Sequence, residues 1–452
     1  VKELHAGKFR TIFIAVVIIL LTCQRPGGPP PGPYAGAELR LEQLSVTCTE
    51  VWLKVSLSGV DSADQGALPV VLKRDGAPVA SFSFLPPDTI VKDTGLQPGH
   101  MYRYRVYRGS GAGSPSPELS VTTLDTTSHD FVWEIDTLGD YGSYLNDVAI
   151  ISENEVWVVG NIEAEGGPYG AAIWDGSNWT YKKLEAGASN VRPYGIFAFS
   201  RDNIWFASGS IYHWDGQNTT LIWLRDMTTD EILTEVWGSS PDDVYFVGTG
   251  GSIVHWDGEG FEKLESGTEM DLLDVWGVLF GGEVRAWVAG FSDEQGSILL
   301  RYGPDSWSTI FRIEPPPPPS TIPGRFSWIV KSVWTDNPYR VWCASAGRIY
   351  EALWNTRGEA EENFWYQYSL GEPVSGAPAS FRLRGNDPAD LFVVGQGLDI
   401  RHFNGISWHW YETLAGNGTL YSVSVRGNMV VAVGEVRPYI LGRQGVVFRG
   451  VR

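Results

Sequence analysis

Cysteine is nearly missing from this 452-residue chain: there are three, Cys23, Cys48 and Cys343. Cys48 and Cys343 fall in different expected domains, so no disulfide framework is indicated, although an export route would permit one. Basic residues are short as well, with 34 Lys and Arg against 53 Asp and Glu and a formal charge of −19. That balance cannot neutralise a phosphate backbone, which excludes nucleic acid as the expected partner. It favours a self-repelling surface and by itself names no ligand. Long apolar runs are absent too: Ile12 to Leu21 is ten residues, and a bilayer takes about 20. Nucleophile elbow, zinc signature, P-loop and dinucleotide fingerprint are all missing. Neither a cofactor nor a metal is expected.

What the chain has instead is tryptophan, 20 of them, with 53 glycines and 27 prolines. Most of the tryptophans fall at fixed places in a pattern that recurs seven times after about residue 145. The clearest copy runs Glu235-Val236-Trp237-Gly238, Asp242 to Gly248, Ser252 to Gly258 and Phe261 to Leu264. Each piece is a short apolar run bounded by Gly, Asp, Asn or Pro, the pattern of four strands joined by turns. The first apolar marker of each copy is Val148, Ile196, Val236, Val275, Val333, Leu383 and Val423, with separations from 39 to 58 residues. A period near 45 without 3.6-residue periodicity fits the blades of a β-propeller rather than helical repeats. The last copy lacks a fourth strand, and Phe131 to Asp136 stands just before the first copy, so this segment is expected to close the ring. The expected fold is all-β: a seven-bladed β-propeller over 130–452, preceded by a β-sandwich over 38–126.

Third-strand turns repeat as Trp174-Asp175-Gly176, Trp214-Asp215-Gly216, Trp256-Asp257-Gly258 and Phe403-Asn404-Gly405. They resemble the Asp-box-like hairpins of propellers related to sialidases and to photosystem-assembly-type repeat proteins. The motif is structural: Asp or Asn before Gly suits a tight hairpin. It transfers no activity.

In the sandwich, Leu96-Gln97-Pro98-Gly99-His100-Met101-Tyr102 resembles the tyrosine corner of fibronectin type III domains. Trp52 would then be that family's buried tryptophan, and the domain a spacer. Arg103, Arg105 and Arg108 alternate on one strand, as a solvated face does.

The N-terminus carries Lys2, Lys8 and Arg10 ahead of the apolar run, the form of a signal peptide over 1–22. Leu20-Leu21-Thr22-Cys23 resembles the lipobox of bacterial lipoproteins, with Thr22 where that family usually has Gly, Ala or Ser. The resemblance implies a lipid on Cys23, and Gln24 after it resembles outer-membrane sorting. Residues 23–37 are a Pro/Gly-rich, extended tether. The expected location is the bacterial cell envelope, as an outer-membrane lipoprotein held through its lipid.

The residue before each apolar marker reads Asp147, Gly195, Glu235, Asp274, Ser332, Arg382 and Ser422, and Tyr194 and Tyr421 stand one earlier. Asp147, Tyr194, Glu235, Asp274, Arg382 and Tyr421 are the ligand-binding candidates, since acids with aromatics at a channel mouth could hold a sugar or a cation. A solvated polar channel is the plainer alternative. Longer loops at Asn161 to Gly170, Phe291 to Gly296 and Ile310 to Arg325 mark one face as functional, and Asn355 to Asn363 is another insertion. The expected role is binding of a glycan or an envelope protein. A polysaccharide hydrolase or lyase using the channel carboxylates, and an envelope assembly factor, are the alternatives.

Overall fold

A computed structural model describes residues 37–59, 67–84, 88–109, 114–228, 231–303, 306–313, 330–345, 348–353, 366–369, 380–439 and 442–452. The signal segment 1–22, Cys23, the tether up to residue 36 and the insertion Asn355 to Asn363 lie outside the described residues. So does Pro315 to Pro319 in the loop after Ile313.

The first unit is two facing antiparallel sheets. One orders its strands Glu38–Val46, Glu50–Ser58, Asp88–Thr94, and the other Ala77–Phe84, Leu68–Arg74, Met101–Arg108, Leu119–Thr122. Strand alternation makes the core: Val51, Leu53 and Val55 meet Leu72, Tyr104 and Val106 between the sheets. Burying such side chains contributes about 1.5–3 kcal/mol each. Arg103 and Arg105 take the exposed alternation, beside Glu118 at 3.8 and 3.1 Å. The Tyr102 hydroxyl accepts from the Gln97 N–H at 2.9 Å, tying the strand back to its own approach.

One expectation for this unit is corrected, and one strand carries little signal of its own. Strand Asp88–Thr94 has Ile90 and Val91 as its only large apolar residues; its buried Asp93 accepts from Arg74 Nη1 at 2.8 and 2.9 Å and from the Tyr104 hydroxyl at 2.8 Å. Trp52 is not in the sandwich core. Its neighbours Val51 and Leu53 take the inward face, so Trp52 faces out and packs with Leu44, Ile90 and Tyr339 of the repeat region.

Among the described residues the repeats form seven four-stranded antiparallel sheets. Their first strands are Tyr144–Ser152, Gly195–Ser200, Leu233–Ser240, Asp271–Phe280, Val330–Asn337, Ser380–Gly385 and Gly418–Arg426. Second strands such as Glu155–Ile162 and Arg340–Ser345 are buried almost throughout, as strands covered on both faces must be. The seventh sheet takes its fourth strand from Val132–Leu138, in unbroken register from Leu138 opposite Gly445 to Val132 opposite Val451. That pairing covers the otherwise open edge of Gly442–Val451. Each first strand packs against the next, and the seventh packs against the first. Leu145, Val148 and Val158 of the first sheet share a core with Val431, Val433 and Val447 of the seventh.

Asp175, Asp215 and Asp257 each accept two backbone N–H bonds at 2.7–2.9 Å from residues two and three further on. Those bonds hold the three carboxyls below the usual carboxylate range. The loops are tighter than expected: strands Glu155–Ile162 and Tyr169–Trp174 take both ends of Asn161 to Gly170, strands Glu283–Ser292 and Gly296–Tyr302 leave only Asp293 to Gln295 between them, and strand Trp307–Ile313 takes Ile310 to Ile313.

The sandwich sits on the turn side of the fifth and sixth sheets. Arg340 and Asn337 both donate to the Ser45 hydroxyl, the latter at 3.2 Å. Cys48 lies against Asn404 and Gly405, and the Thr127 hydroxyl donates to the Ala389 carbonyl at 2.5 Å. The opposite side, where the longer loops emerge, is not used by this contact.

Candidate functional site

The first strands line a central channel, and their inner edges have no further strand to pair with. Their backbone N–H groups therefore need other acceptors. Asp147 supplies three bonds: Oδ1 accepts from the Val148 N–H at 2.9 Å and the Ser422 hydroxyl at 2.5 Å, and Oδ2 from the Ile196 N–H at 2.9 Å. Asp274 Oδ2 accepts from the Ser332 hydroxyl at 2.5 Å and the Val333 N–H at 2.9 Å, while Ser332 Oγ accepts from the Leu383 N–H at 3.0 Å. Each acid or hydroxyl thus caps an amide of the next sheet. Short polar side chains recur before the apolar marker for this reason.

Arg382 crosses the channel. Its Nη1 donates to Asp274 Oδ1 at 2.5 Å and its Nη2 to Glu235 Oε1. Arg384 adds two bonds to Asp274, at 2.7 and 3.0 Å, and its guanidinium lies 4.4 Å over the Trp276 ring. Asp274 is 0% exposed, Arg382 5% and Glu235 9%. Burial alone would raise the Asp274 carboxyl, yet Arg382 and Arg384 hold it below the usual range. Glu235 has only Arg382, and burial, joined by Asp147 and Asp274, pushes it up to about 8.

The structure therefore brings Asp147, Glu235, Asp274 and Arg382 to one level of the channel and binds the last three directly together. Tyr194 and Tyr421 stand apart from that cluster, toward the loop side. Tyr194 is 45% exposed. Tyr421 meets Phe381 edge-on at 6.0 Å, and burial, with Glu435 adding, raises its hydroxyl.

Sequence reasoning missed a strip of groups on that rim. Lys331 Nζ stands 3.8 Å over the Phe381 ring, and burial lowers its pKa. Beyond Phe381 and Tyr421, the buried Glu435 accepts from Arg437 Nε at 2.7 Å and pairs with Arg443 at 3.4 Å; Arg443 lies 3.9 Å over the Tyr144 ring. Lys331, Phe381 and Tyr421 share one place in the fifth, sixth and seventh copies, one residue before the ring position. Arg384 was legible as well, since a strand's period of two puts it on the face of Arg382.

On the turn side of the ring lies a cavity of about 210 Å³, bordered by Asp147, Glu235, Phe197, Trp276, Arg384 and Arg426 among others.

No family model matches this chain, and no curated protein does. Solved structures do. A structure of YCF48 bound to a D1 peptide aligns at a TM-score of 0.50 and 16% identity, over 71% of this chain and 95% of that one. YCF48 from Cyanidioschyzon merolae aligns at 0.50 and 14%, over 70% and 98%. The WD40 β-propeller domain of Doa1 aligns at 0.49 and 12%, over 70% and 97%. The repeat region of this chain has a β-propeller fold.

Proposed function

We propose that this chain is a non-catalytic recognition protein: a seven-bladed propeller on a fibronectin type III-like spacer, held at the bacterial cell envelope by a lipid on Cys23, with a protein partner bound on the loop-side rim. The carrying observation is the strip Lys331–Phe381–Tyr421–Arg437–Arg443–Tyr144, a run of cations and aromatic faces on a chain of net charge −19. Such a surface fits an acidic, extended segment, whose carboxylates meet Arg and Lys while its apolar side chains lie on the rings. The channel acids are spent on holding the sheets together, which weighs against their use as a hydrolytic pair. YCF48 has been solved with a D1 peptide bound, and that supports a peptide as an occupant of this fold. The docked sandwich leaves the same rim uncovered, which suits presentation from a tether.

Fluorescence anisotropy with a panel of acidic peptides, run beside a glycan array, tests the reading. The expected result is peptide binding that weakens with salt and falls about tenfold or more, about 1.4 kcal/mol, in the Lys331→Gln, Arg437→Gln double variant. Glycan binding alone, or peptide binding indifferent to both substitutions, would overturn it.

A further inference from the structure

One pair of positions recurs through the sheets with matched chemistry. In the third sheet His255 lies opposite Tyr245, and Asp243 stands two residues before Tyr245, on the same face. His255 and Asp243 meet at 2.7 Å. The equivalent pairs are Asn203 with His213 in the second sheet at 3.1 Å, Arg340 with Glu351 in the fifth at 3.2 Å, and Asp390 with His402 in the sixth at 2.9 Å. In the seventh sheet Arg449 holds the third-strand place and pairs with Glu134 and Asp136. The first has Ile173 there, which needs no partner.

The fourth sheet departs from this pattern. Arg301 lies opposite Trp287, and Arg285 stands two residues before Trp287, so the matched place holds two guanidiniums. Trp287 packs with Val333, Val341 and Cys343, which turns this face toward the fifth sheet. Arg285 is spent on the Glu283 carboxylate and on the Val284 carbonyl at 2.9 Å. Arg301 has no such partner: its Nε is buried without an acceptor, and no carboxylate among the described residues pairs with it. Burial, and Arg285 after it, disfavour its charge. A buried charged donor without an acceptor is rare in a folded protein.

The missing acceptor has a definable chemistry. The Nε and one Nη of a guanidinium form a fork that matches two oxygens of an anion. Arg285 shares the face, and Tyr339, in the turn of the fifth sheet, stands close enough to feel both arginines. The sandwich side does not supply the acid, since Glu42 is taken by Lys54 at 2.9 Å and Asp88 acts on Lys54 and Tyr339. Two guanidiniums and a hydroxyl, with only Glu283 against them, suit a guest with several oxygens and more than one negative charge. A phosphate group has both. We propose that the junction of the fourth and fifth sheets binds a phosphate group, held by the Arg301 fork and supported by Arg285 and the Tyr339 hydroxyl. Free inorganic phosphate and a phosphate monoester on a larger molecule present the same group. The site lies on the turn side and is independent of the rim.

Isothermal titration of the full chain with inorganic phosphate and with glycerol phosphate, at constant ionic strength and beside acetate, tests this. The expected result is saturable phosphate binding, weakened about tenfold or more in Arg301→Gln, with little heat from acetate. Binding of glycerol phosphate as well assigns the source to a monoester; binding of inorganic phosphate alone assigns it to the free ion. Arg301→Glu gives Arg285 the partner that Arg340 has in Glu351, and Arg285→Asp gives Arg301 the partner that His255 has in Asp243. Both swaps should resist urea at least as well as the unaltered chain and bind no phosphate, so an unfolded Arg301→Gln would not leave the question open. No heat from either phosphate, acetate binding equal to phosphate, or phosphate binding retained in Arg301→Glu would overturn the proposal. Acidic-peptide binding at the rim succeeds or fails separately in the same samples.

Discussion

Asp274 has no exposed surface, and its two oxygens take bonds from Ser332, Val333, Arg382 and Arg384. Replacing it by Asn keeps the shape but leaves two buried guanidiniums short of charge. Removing one partner of a buried ion pair costs about 3–5 kcal/mol, and Asp274→Asn should lose that much in urea unfolding. Gly405 is a second sensitive position. Its φ is +91°, and a Cβ there would collide with Cys48 Sγ. Burial, with Asp387 and Asp125 adding, pushes the Cys48 thiol up to about 11, so it should react slowly with thiol reagents. Gly405→Ala should speed its labelling several-fold and lower the melting temperature. Half of that was readable beforehand. The Asn404-Gly405 turn is a local signal, whereas a contact between residues 357 apart in sequence, Cys48 and Gly405, has no local signature. Asp147 and Asp274 illustrate the same division: their place one residue before an apolar marker was visible in sequence, but their task of capping the neighbouring sheet's amides needed the ring.

At the scale of elements, Val132–Leu138 was legible because the last copy lacked a strand and Phe131 to Asp136 matched it. Asp88–Thr94 was not, since its place depends on pairing with Glu50–Ser58 and on the Arg74–Asp93–Tyr104 network rather than on its own composition. The segment joining sandwich to propeller has a titratable anchor. His129 Nδ1 meets His402 Nδ1 at 2.8 Å, and His402 Nε2 meets Asp390 Oδ1 at 2.9 Å; Arg452 pairs with Asp390, and His409 and Asp130 stand nearby. Burial, with His402 and His409 adding and Asp130 opposing, lowers His129 to about 4. A released joining segment takes up a proton near the ordinary value of about 6.5, but a docked one does so only near 4. Docking is therefore fully stabilised above about pH 6.5 and weakens as pH falls toward 4. Proteolysis of residues 123–131 should accelerate through that window, and His129→Gln should remove much of the pH dependence.

For the whole molecule, the sandwich occupies the turn side and the cationic, aromatic strip occupies the loop side, so the two lie on opposite faces of the ring. Trp52 belongs to this arrangement: a tryptophan on the outer face of a sandwich strand makes sense once Tyr339 covers it. A net charge of −19 repels acidic partners at long range, and the strip reverses that sign only locally.

Both the cavity and the rim exist only if the seven sheets form a ring closed by Val132–Leu138. Hydrogen exchange on the intact chain tests that most directly. Amides of 132–138 should be protected as strongly as those of 442–451 and lose protection together with them. Exchange of 132–138 at the rate of the preceding segment 124–130, with 442–451 still protected, would contradict the closed ring.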